Sequence, residues 1–466
     1  MCFTIFRPMD SQTIVAPMTP MGVSAVAALR VSGSRVRNVV EGLFGPKALK
    51  GLEPRKANLG TARDPESGKV LDSLLYIYFE SPNSYTGEDV LELYPHGNPL
   101  IVRDLLQAIR SIEGVRLAEP GEYTRRAFLN GKMDLTQAES VADVIRSANR
   151  AELENAHRLL SGALSKKIAT LTAQVKDISA RLELDVDFAE EEADPDFAGW
   201  ETRFVSIRES IQQILNSFRG KASLSRLPLA VLYGAPNAGK SSLVNALLGE
   251  DRVLVSNVPG TTRDFVEVRL FLDGGEIRLV DTAGIADKAT DELDALSMKK
   301  SREILEEADL KILVVDGALC HPEQAQHIEG SPEAIQPDAI VYSKCDLLNS
   351  KDEVIPNSEI RNPNCLSVSS KTGEGLAELK RVMNAALFKK NDNQEDLWIT
   401  SEREKTCLED ALAGVNRVLD LLKTNPAVEL LAFEMQLVRR ALQSITGEIS
   451  SEDILQSIFA GFCIGK

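Results

Sequence analysis

The chain of 466 residues has few cysteines and histidines and no long apolar run. Its six cysteines are scattered without a C-x-x-C pair, and its four histidines are equally dispersed, so we expect reduced thiols rather than a disulfide framework or a zinc site. No stretch approaches the roughly 20 apolar residues that span a bilayer. The first basic residue, Arg7, follows the short apolar start, whereas in a secretion signal it would precede it. These absences predict a soluble, cytoplasmic protein without membrane contact.

Positive charge is also scarce. Lys and Arg number 53 against 69 Asp and Glu, which gives a net charge of −16. Such a chain does not hold nucleic acid through a general basic field. Contact with RNA would need either a partner protein or a local patch, for which Arg125–Arg126 and Arg439–Arg440 are the candidates.

Length and pattern together predict a multidomain fold with α/β and all-α parts. Residues 1–130 contain β-type runs, such as 13–16 and 73–79, and a helical pattern at 100–112, separated by Gly, Pro and Asn turns. We therefore expect a compact α/β domain at the N-terminus.

A helical domain is expected in two parts, residues 131–226 and 386–466. Apolar residues at helical spacing form one stripe in each part, at Leu164–Leu182 and at Leu408–Leu422. A single amphipathic helix cannot bury its own stripe. The two parts should therefore pack on each other as one discontinuous domain, with residues 227–385 inserted between them.

Two short patterns predict where helices of this domain begin. Thr136–Glu139 and Ser401–Glu404 both match the capping box, in which a hydroxyl and a carboxylate satisfy free amides of the first helical turn. We expect helices to start at these two places.

The segment Gly234–Ser241, G-A-P-N-A-G-K-S, matches the phosphate-loop pattern and lies between an apolar strand-like run and a helical run. Its glycines allow main-chain amides to turn towards phosphates at a helix N-terminus. Lys240 would reach the terminal phosphates, and the Ser241 hydroxyl would bind Mg²⁺. Residues 227–385 are thus predicted to form a P-loop domain with a mainly parallel sheet. The GTP-binding residues predicted in this loop are Asn237, Ala238, Gly239, Lys240, Ser241 and Ser242.

Three later motifs follow in the order typical of GTPases. D-T-A-G, after an apolar run, would hold the magnesium shell and sense the γ-phosphate. In S-K-C-D, the Asp346 carboxylate can accept both the N1 and N2 hydrogens of guanine, a fork that adenine cannot offer, and Lys344 can lie along the base. S-S-K offers a main-chain contact to guanine O6. The predicted residues are Asp281, Thr282, Ala283, Gly284, Ser343, Lys344, Asp346, Ser369, Ser370 and Lys371.

These motifs resemble those of the TRAFAC-class GTPases, with Ser343 in place of the usual Asn of N-K-x-D. Ile285 and Ala286 follow D-T-A-G and cannot position water as the Gln of Ras-type enzymes does, so another group must do so. The run P-G-T-T-R-D at 259–264 supplies the switch threonine, Thr262, as a second Mg²⁺ ligand.

Asn237, the loop at 256–260 and G-T-T-R-D are together similar to the MnmE (TrmE) family of tRNA-modifying GTPases. The resemblance implies that G domains dimerise across their nucleotides and that K⁺ takes the place of an arginine finger. Ungapped alignment puts Asp294 at the family's water-orienting glutamate, with Glu292 and Asp291 as alternatives. The implied K⁺ ligands are Asn237, Ser256, Val258 and Thr261, and the implied catalytic residues are Lys240, Thr262 and Asp294.

Similar stretches occur towards both ends of the chain, at 84–92, 118–139 and 462–466. They imply a homodimer through an N-terminal domain that binds 5-formyl- or 5,10-methylene-tetrahydrofolate. Glu92 would meet the pterin, and three cations would meet the glutamate tail. Cys463 has two open interpretations, a functional residue of the family tail or a small buried hydrophobe. The implied folate ligands are Arg30, Glu92, Lys132 and Lys466.

The family's glycine-rich segment is replaced here by T-P-M-G-V-S-A-V at 19–26, and losing glycines there could narrow the folate pocket.

The function implied by the resemblance is modification of C5 of the wobble uridine of tRNA, with the carbon supplied by folate. The partner would be an FAD-containing protein like MnmG, in a heterotetramer. Two alternatives stay open: a ribosome-assembly GTPase switch, and a nucleotide-dependent scaffold with little turnover. The chain shows no appended RNA module or second phosphate loop of the kind that ribosome-assembly GTPases usually carry.

Overall fold

The structure is a computed structural model that describes most of the chain. The chain divides into two compact units, one of Met1–Arg146, Asn155–Arg219 and Leu397–Lys466, and the other of Ser147–Glu154 and Gly220–Asp396. The described ranges are 12–187, 197–220, 226–249, 266–282, 303–317, 336–347, 365–388, 397–424 and 427–465.

The N-terminal part of the first unit contains a six-stranded sheet in the order β4-β5-β6-β3-β1-β8 and a separate pair, β2 and β7. Only β1 and β8 pair in parallel within the six-stranded sheet, and its other neighbours are antiparallel. The strands are β1 (Thr13–Pro17), β2 (Ser24–Val26), β3 (Leu29–Ser32), β4 (Ala57–Arg63), β5 (Val70–Phe79), β6 (Val90–Tyr94), β7 (His96–Gly97) and β8 (Val115–Leu117).

Helices α1 (Val36–Phe44) and α3 (Pro99–Arg110) contribute the apolar residues that bury one face of this sheet, and a short α2 (Pro46–Lys50) follows α1. Helix α3 begins where the sequence favours it, because the Asn98 side chain accepts a hydrogen bond from Leu100 N and the next residue is a proline, whose missing amide is not needed there.

The helical part of the first unit follows and resumes after the insertion. Its helices are α4 (Glu122–Leu129), α5 (Leu135–Arg146), α6 (Arg150–Leu160), α7 (Ala163–Asp187), α8 (Phe197–Asn216), α11 (Glu402–Leu422), α12 (Val428–Thr446) and α13 (Glu452–Ala460).

The predicted helix stripes are confirmed as one core. Leu164, Val175 and Leu182 of α7 belong to the same buried cluster as Leu408 and Val415 of α11, and α8 and α12 complete that cluster. Burial of facing apolar stripes is the main stabilisation of such helices, since propensity alone is weak.

The predicted capping boxes are only partly right. Helix α5 begins at Leu135, because Asp134 and Gln137 cap each other: Gln137 N donates to Asp134 Oδ1, and Asp134 N donates to Gln137 Oε1. The box is therefore shifted by two residues from the predicted Thr136–Glu139, and Glu139 instead forms an ion pair with Arg403 at 3.0 Å.

Ser401 is the N-cap residue of α11, as predicted, but its side chain makes no capping hydrogen bond. The start of this helix is thus correct while the predicted contact is absent.

The second unit contains a six-stranded sheet in the order β10-β11-β9-β12-β13-β14. Its only antiparallel pair among the described strands is β10–β11, so the predicted mainly parallel sheet is confirmed. Apolar clusters lie on both faces, as parallel sheets require. The elements are β9 (Leu229–Tyr233), α9 (Lys240–Gly249), β10 (Val266–Leu272), β11 (Gly275–Asp281), β12 (Leu310–Asp316), β13 (Ala339–Ser343), β14 (Cys365–Ser367) and α10 (Leu376–Leu387), with a further short helical stretch at 303–307.

Residues 147–154 belong to this second unit, although they lie in the segment predicted as helical domain. Main-chain hydrogen bonds explain this: Arg150 N donates to Gly274 O, and Glu276 N donates to Ala148 O, at the turn between β10 and β11. The sequence pattern gave no sign of this pairing.

Candidate functional site

The phosphate loop follows the carboxyl end of β9 and leads into α9. Gly234, Asn237 and Gly239 all have positive φ, at 141°, 63° and 89°. A side chain at Gly234 is impossible in this backbone, because its Cβ would lie 2.2 Å from Val314 O. Left-handed residues within a turn bring successive amides to one concave side, and such a concavity binds anions. The loop therefore has the backbone form that a triphosphate needs.

Lys240 is buried at the start of α9. Its Nζ donates to Gly234 O and to Ala235 O, both at 2.8 Å, so the ammonium lies across the mouth of its own loop. A buried ammonium costs several kcal/mol unless negative charge or several acceptors surround it. Phosphate oxygens would supply that charge.

Ser241 and Asp281 meet at this loop from different elements. Ser241 Oγ donates to Asp281 Oδ2 at 2.5 Å, and Asp281 ends β11 with almost no exposure. A hydroxyl and a carboxylate are the hard oxygen ligands that suit Mg²⁺, in direct contact or through water. These two side chains therefore fit a magnesium ion, which would neutralise phosphate charge when bound. Next to them, Thr282 Oγ1 donates to Leu232 O at 3.0 Å and fixes the chain as it leaves the strand.

The predicted base-recognition loop follows β13. Ser343 is buried, and its Oγ lies 2.6 Å from Ala238 O and 3.1 Å from Val315 O. Lys344 has a φ of 59°, and its Nζ donates to Asn237 O at 3.0 Å and to Asp316 Oδ2 at 2.6 Å. Side chains of this loop thus contact the main chain of the phosphate loop directly.

Asp346 is oriented by a residue of the last predicted motif. Ser369 Oγ donates to Asp346 Oδ1 at 2.7 Å, while the amides of Lys371 and Thr372 donate to the same Ser369 oxygen. The turn after β14 therefore fixes a carboxylate that follows β13. Ser370 lies within this turn.

Eight of the predicted site residues lie outside the described ranges, and nothing is said of their structure. They are Ser256, Val258, Thr261, Thr262, Ala283, Gly284, Asp294 and Lys466.

A second cluster lies on the N-terminal sheet. Arg30 and Glu92 are directly paired across β3 and β6, and Arg30 Nη2 donates to Glu92 Oε1 at 2.8 Å. Tyr94 OH donates to the other carboxylate oxygen at 2.6 Å. Burial first, and then the hydrogen bond to Glu92, raise the pKa of Tyr94 to about 12. The sequence assigned Arg30 and Glu92 to opposite ends of a folate, whereas the structure brings them together as an ion pair.

Two tyrosines complete the surroundings of Arg30. Its guanidinium carbon lies 4.8 Å from the Tyr85 ring centre and 5.7 Å from that of Tyr123. Tyr123 OH donates to Arg30 O at 2.6 Å, and burial raises the pKa of Tyr123. Arg30 Nη1 is buried without a hydrogen-bond partner among the described residues. This donor fits an anionic or carbonyl group of a ligand.

Lys132, the third described folate candidate, is tied to the loop that carries Tyr85. Its Nζ donates to Pro82 O at 2.9 Å, and Gly87 of the same loop would place a Cβ 3.4 Å from its side chain. Arg30 and Lys132 are therefore both associated with residues 82–87.

The replaced glycine segment is exposed at two of its positions. Val23 is 93% exposed, and nothing lies within 4 Å of a Cβ built at Gly22. The narrowing of the folate pocket that the sequence suggested stays a prediction.

Two sequence interpretations are wrong. Cys463 is exposed, which excludes the buried-hydrophobe alternative. Arg126 is only 2% exposed and forms ion pairs with Glu88 and Glu122, so it cannot serve in a surface patch for RNA. Arg125 pairs with Glu452, and of the second predicted pair Arg440 is exposed.

Sequence reasoning missed Asp316, Tyr85 and Tyr123. Asp316 ends strand β12, and a carboxylate at the carboxyl end of a parallel strand is itself a signal for a site that the sequence offered. The tyrosines gave no such signal, because their contact with Arg30 depends on segments far apart in sequence.

Two kinds of feature are absent from the described part of the chain. None of its helices is long and apolar enough to cross a membrane. It also contains no group of three or more His, Cys, Asp or Glu side chains placed to hold a metal ion.

Family models match most of the chain. The model for the GTP-binding protein TrmE N-terminus matches residues 13–132, and the model for the MnmE helical domain matches residues 135–463.

Curated relatives match over the full length. A tRNA modification GTPase MnmE from Carboxydothermus hydrogenoformans is 36% identical over 98% of this chain and 100% of its own. Another from Nitrosospira multiformis is 36% identical over 98% of this chain and 99% of its own. Among solved structures, the G domain of the T. maritima FeoB iron transporter is 30% identical over 34% of this chain and 99% of its own, with a TM-score of 0.26.

Proposed function

The chain belongs to the MnmE family of tRNA modification GTPases, and from this premise we propose how its residues divide the work. As a member of that family it is a GTP hydrolase of tRNA modification. We assign GTP binding to the phosphate loop, Asp281, the Ser343–Asp346 loop and the turn at Ser369–Lys371. The observation that carries the assignment is that side chains of the Ser343–Asp346 loop contact main-chain oxygens of the phosphate loop. We keep the four-part domain division, with boundaries near 130, 226 and 385, as part of this proposal.

Guanine selection is assigned to Asp346. Its Oδ1 is fixed by Ser369, which leaves the carboxylate oriented for the N1 and N2 hydrogens of the base. Calorimetry with GDP and ADP tests this. We expect binding of GDP only, and equal affinity for ADP would contradict the assignment.

Hydrolysis is proposed to depend on K⁺ and on pairing of two G domains. Asn237 lies within the phosphate loop and holds a left-handed conformation, with a φ of 63°. We assign Asn237, with Ser256, Val258 and Thr261, to K⁺, Thr262 with Ser241 to Mg²⁺, and Asp294 to the attacking water. GTP turnover in KCl should exceed turnover in NaCl by roughly tenfold or more, since charge stabilisation at the phosphates is the main catalytic term.

The same measurement separates these roles. Asp294→Ala should reduce turnover while GDP affinity stays unchanged, and Glu292→Ala, at the alternative position, should leave turnover unchanged if the assignment to Asp294 is right. Undiminished turnover in the Asp294 variant would reject that residue. Equal GTP turnover in KCl and NaCl would reject the proposed role of K⁺ in hydrolysis.

A tetrahydrofolate is proposed as ligand of the N-terminal sheet. Support comes from the unpartnered Arg30 Nη1, the flanking tyrosines and the Glu92 carboxylate, which suit an aromatic, hydrogen-bonding ligand with a carboxylate tail. Lys132 and Lys466 would meet that tail. Titration of 5-formyltetrahydrofolate, followed by tyrosine fluorescence, should show saturable binding that Arg30→Met removes.

The full reaction is proposed to modify C5 of the wobble uridine in the cytoplasm, within a homodimer that joins an MnmG-like FAD protein and tRNA. A net charge of −16 agrees with a partner that makes much of the tRNA contact. Mass spectrometry of wobble nucleosides from a deletion strain tests this. The wobble uridines of the deletion strain should lack a C5 substituent. Unchanged nucleosides would contradict the proposed tRNA reaction and leave GTP hydrolysis as the only assigned activity.

A further inference from the structure

We propose that Asp316, acting through Lys344, ties the base-recognition loop to the phosphate loop and so compensates for the serine at position 343. Asp316 is thus a positioning residue for guanine-nucleotide binding. The inference rests on the assignment of Lys344 to the base.

The first step concerns what Ser343 can do. Its hydroxyl lies within hydrogen-bond distance of two carbonyl oxygens, Ala238 O at 2.6 Å and Val315 O at 3.1 Å. A hydroxyl has one proton, whereas the amide of the usual asparagine has two N–H donors. Ser343 can therefore donate fully to only one of these oxygens. Its contact between the base-recognition loop and the phosphate loop is weaker than that of an asparagine at this position.

The second step concerns Lys344. Its Nζ bridges Asn237 O of the phosphate loop, at 3.0 Å, and Asp316 Oδ2, at 2.6 Å. Asp316 is the better shielded partner, with a side chain 15% exposed against 36% for Lys344. A charge-assisted bond is about twice as strong as a neutral one, and partial burial limits its screening. The pair therefore provides the stronger link.

The third step concerns conformation. Lys344 has a φ of 59°, which a non-glycine residue keeps only where its surroundings hold it. Asp316 is placed to do this, because the next residue also fixes the loop. Gly317 N donates to Ser343 O at 2.9 Å, and a Cβ at Gly317 would lie 2.7 Å from that oxygen. The end of β12 is thus fitted closely under the base-recognition loop.

The test is the GDP dissociation constant of four proteins: the wild type, Asp316→Asn, Lys344→Met and the double variant. We expect each single change to weaken binding about tenfold, and the double variant to be within about twofold of Lys344→Met, because residues that act through one contact are not additive. Unchanged affinity of Asp316→Asn would overturn the proposal. Additive losses would overturn it too, since Asp316 would then act by another route.

Two further variants distinguish a specific role of Asp316 from a general disturbance of the fold. Asp316→Glu keeps the charge, and its affinity for GDP should lie between those of the wild type and Lys344→Met. An affinity outside that interval would overturn the proposal. This variant keeps the proposal testable even if Asp316→Asn does not fold. Asp338→Asn, a carboxylate just before β13 that accepts from Lys311 N, is the matched control and should stay within about twofold of the wild type. A loss there equal to that of Asp316→Asn would overturn the specific role.

The compensation itself is tested in a Ser343→Asn background. There the loss caused by Asp316→Asn should shrink from about tenfold to about threefold, since the amide supplies the second donor. An undiminished loss would overturn the compensating role. If the wild type bound no guanine nucleotide, the assignment of the nucleotide site would be wrong. If the wild type bound GDP and Asp316→Asn bound it equally well, only the role of Asp316 would be wrong.

Discussion

The phosphate loop and the Arg30 cluster hold charge in opposite ways. The phosphate loop presents main-chain amides within one short segment, and its shape depends on positive φ at Gly234, Asn237 and Gly239. The Arg30 cluster presents side chains from β3, β6, α4 and the Tyr85 loop, which meet only in the folded sheet. The first is a local device and the second is a product of tertiary structure.

The difference has a consequence for how each site fails. At the phosphate loop, one added side-chain atom that clashes with the backbone should abolish the loop conformation and so weaken nucleotide binding. At the Arg30 cluster, removal of one charged side chain should leave its partners less well compensated and so lower the stability of the fold. Changes at the two sites should therefore differ in kind as well as in size.

The largest effect is expected for Gly234→Ala. The new Cβ would lie 2.2 Å from Val314 O, at a φ of 141°, so the loop must move. We expect a loss of roughly 3 kcal/mol or more in nucleotide binding, about 10²-fold or greater in GDP affinity. Gly249→Ala is the control, because nothing lies within 4 Å of its Cβ. Calorimetry that found normal affinity in the Gly234 variant would break the comparison.

Next comes Arg126→Met in the network beside the Arg30 cluster. This change removes the Arg126 cation from Glu88 and Glu122, which keep hydrogen bonds from Ser32 and Arg116, so the cost should be about 1.5–3 kcal/mol, the value for hydrogen bonds to charged groups. The midpoint temperature of thermal unfolding should fall, while the affinity for GDP should stay unchanged. Arg125→Met removes a more exposed ion pair and should cost at most about 1 kcal/mol. Similar losses in the two variants would contradict the view of a buried network.

Acid should weaken the same network selectively. Burial alone would raise the pKa of Glu122, but bonds from Arg116, Glu119 N and Arg126 outweigh it and leave the pKa below its ordinary 4.5. A depressed folded-state pKa stabilises the protein above the ordinary value, and this stabilisation is lost as pH falls through the folded value.

Amide exchange of β1 and β8, corrected for intrinsic rates, should therefore show less protection at pH 3.5 than at pH 5.5. In Arg126→Met the difference should shrink. Equal acid sensitivity of the two proteins would show that Glu122 does not contribute.

The smallest effect is expected for Ser343→Asn. A second N–H donor should let both Ala238 O and Val315 O be satisfied, and GDP affinity should rise about threefold. Ser367→Asn, an exposed change at the end of β14, is the control and should have no effect. A weaker Ser343→Asn variant would mean that the loop has adapted fully to serine.

The fold was predictable where one pattern decides it. The stripe in α7 follows from the spacing of apolar residues, and the mainly parallel sheet follows from the phosphate-loop motif between a strand-like and a helical run. The capping box of α5 was misplaced, because Asp134 and Thr136 both fit the pattern and only the observed hydrogen bonds distinguish them. The pairing of Ala148–Arg150 with the β10–β11 turn had no pattern at all.

Sequence alone determined the nucleotide-binding loop, because its function is carried by neighbouring main-chain groups and glycine positions that a short motif records. Tertiary structure alone decided the Arg30–Glu92 pair, the aromatic surroundings of Arg30, the burial of Arg126 and the link from Asp316 to Lys344. Each of these joins residues distant in sequence, and a pairwise contact at 3 to 5 Å is fixed by the packing of sheets and helices, which no local pattern encodes.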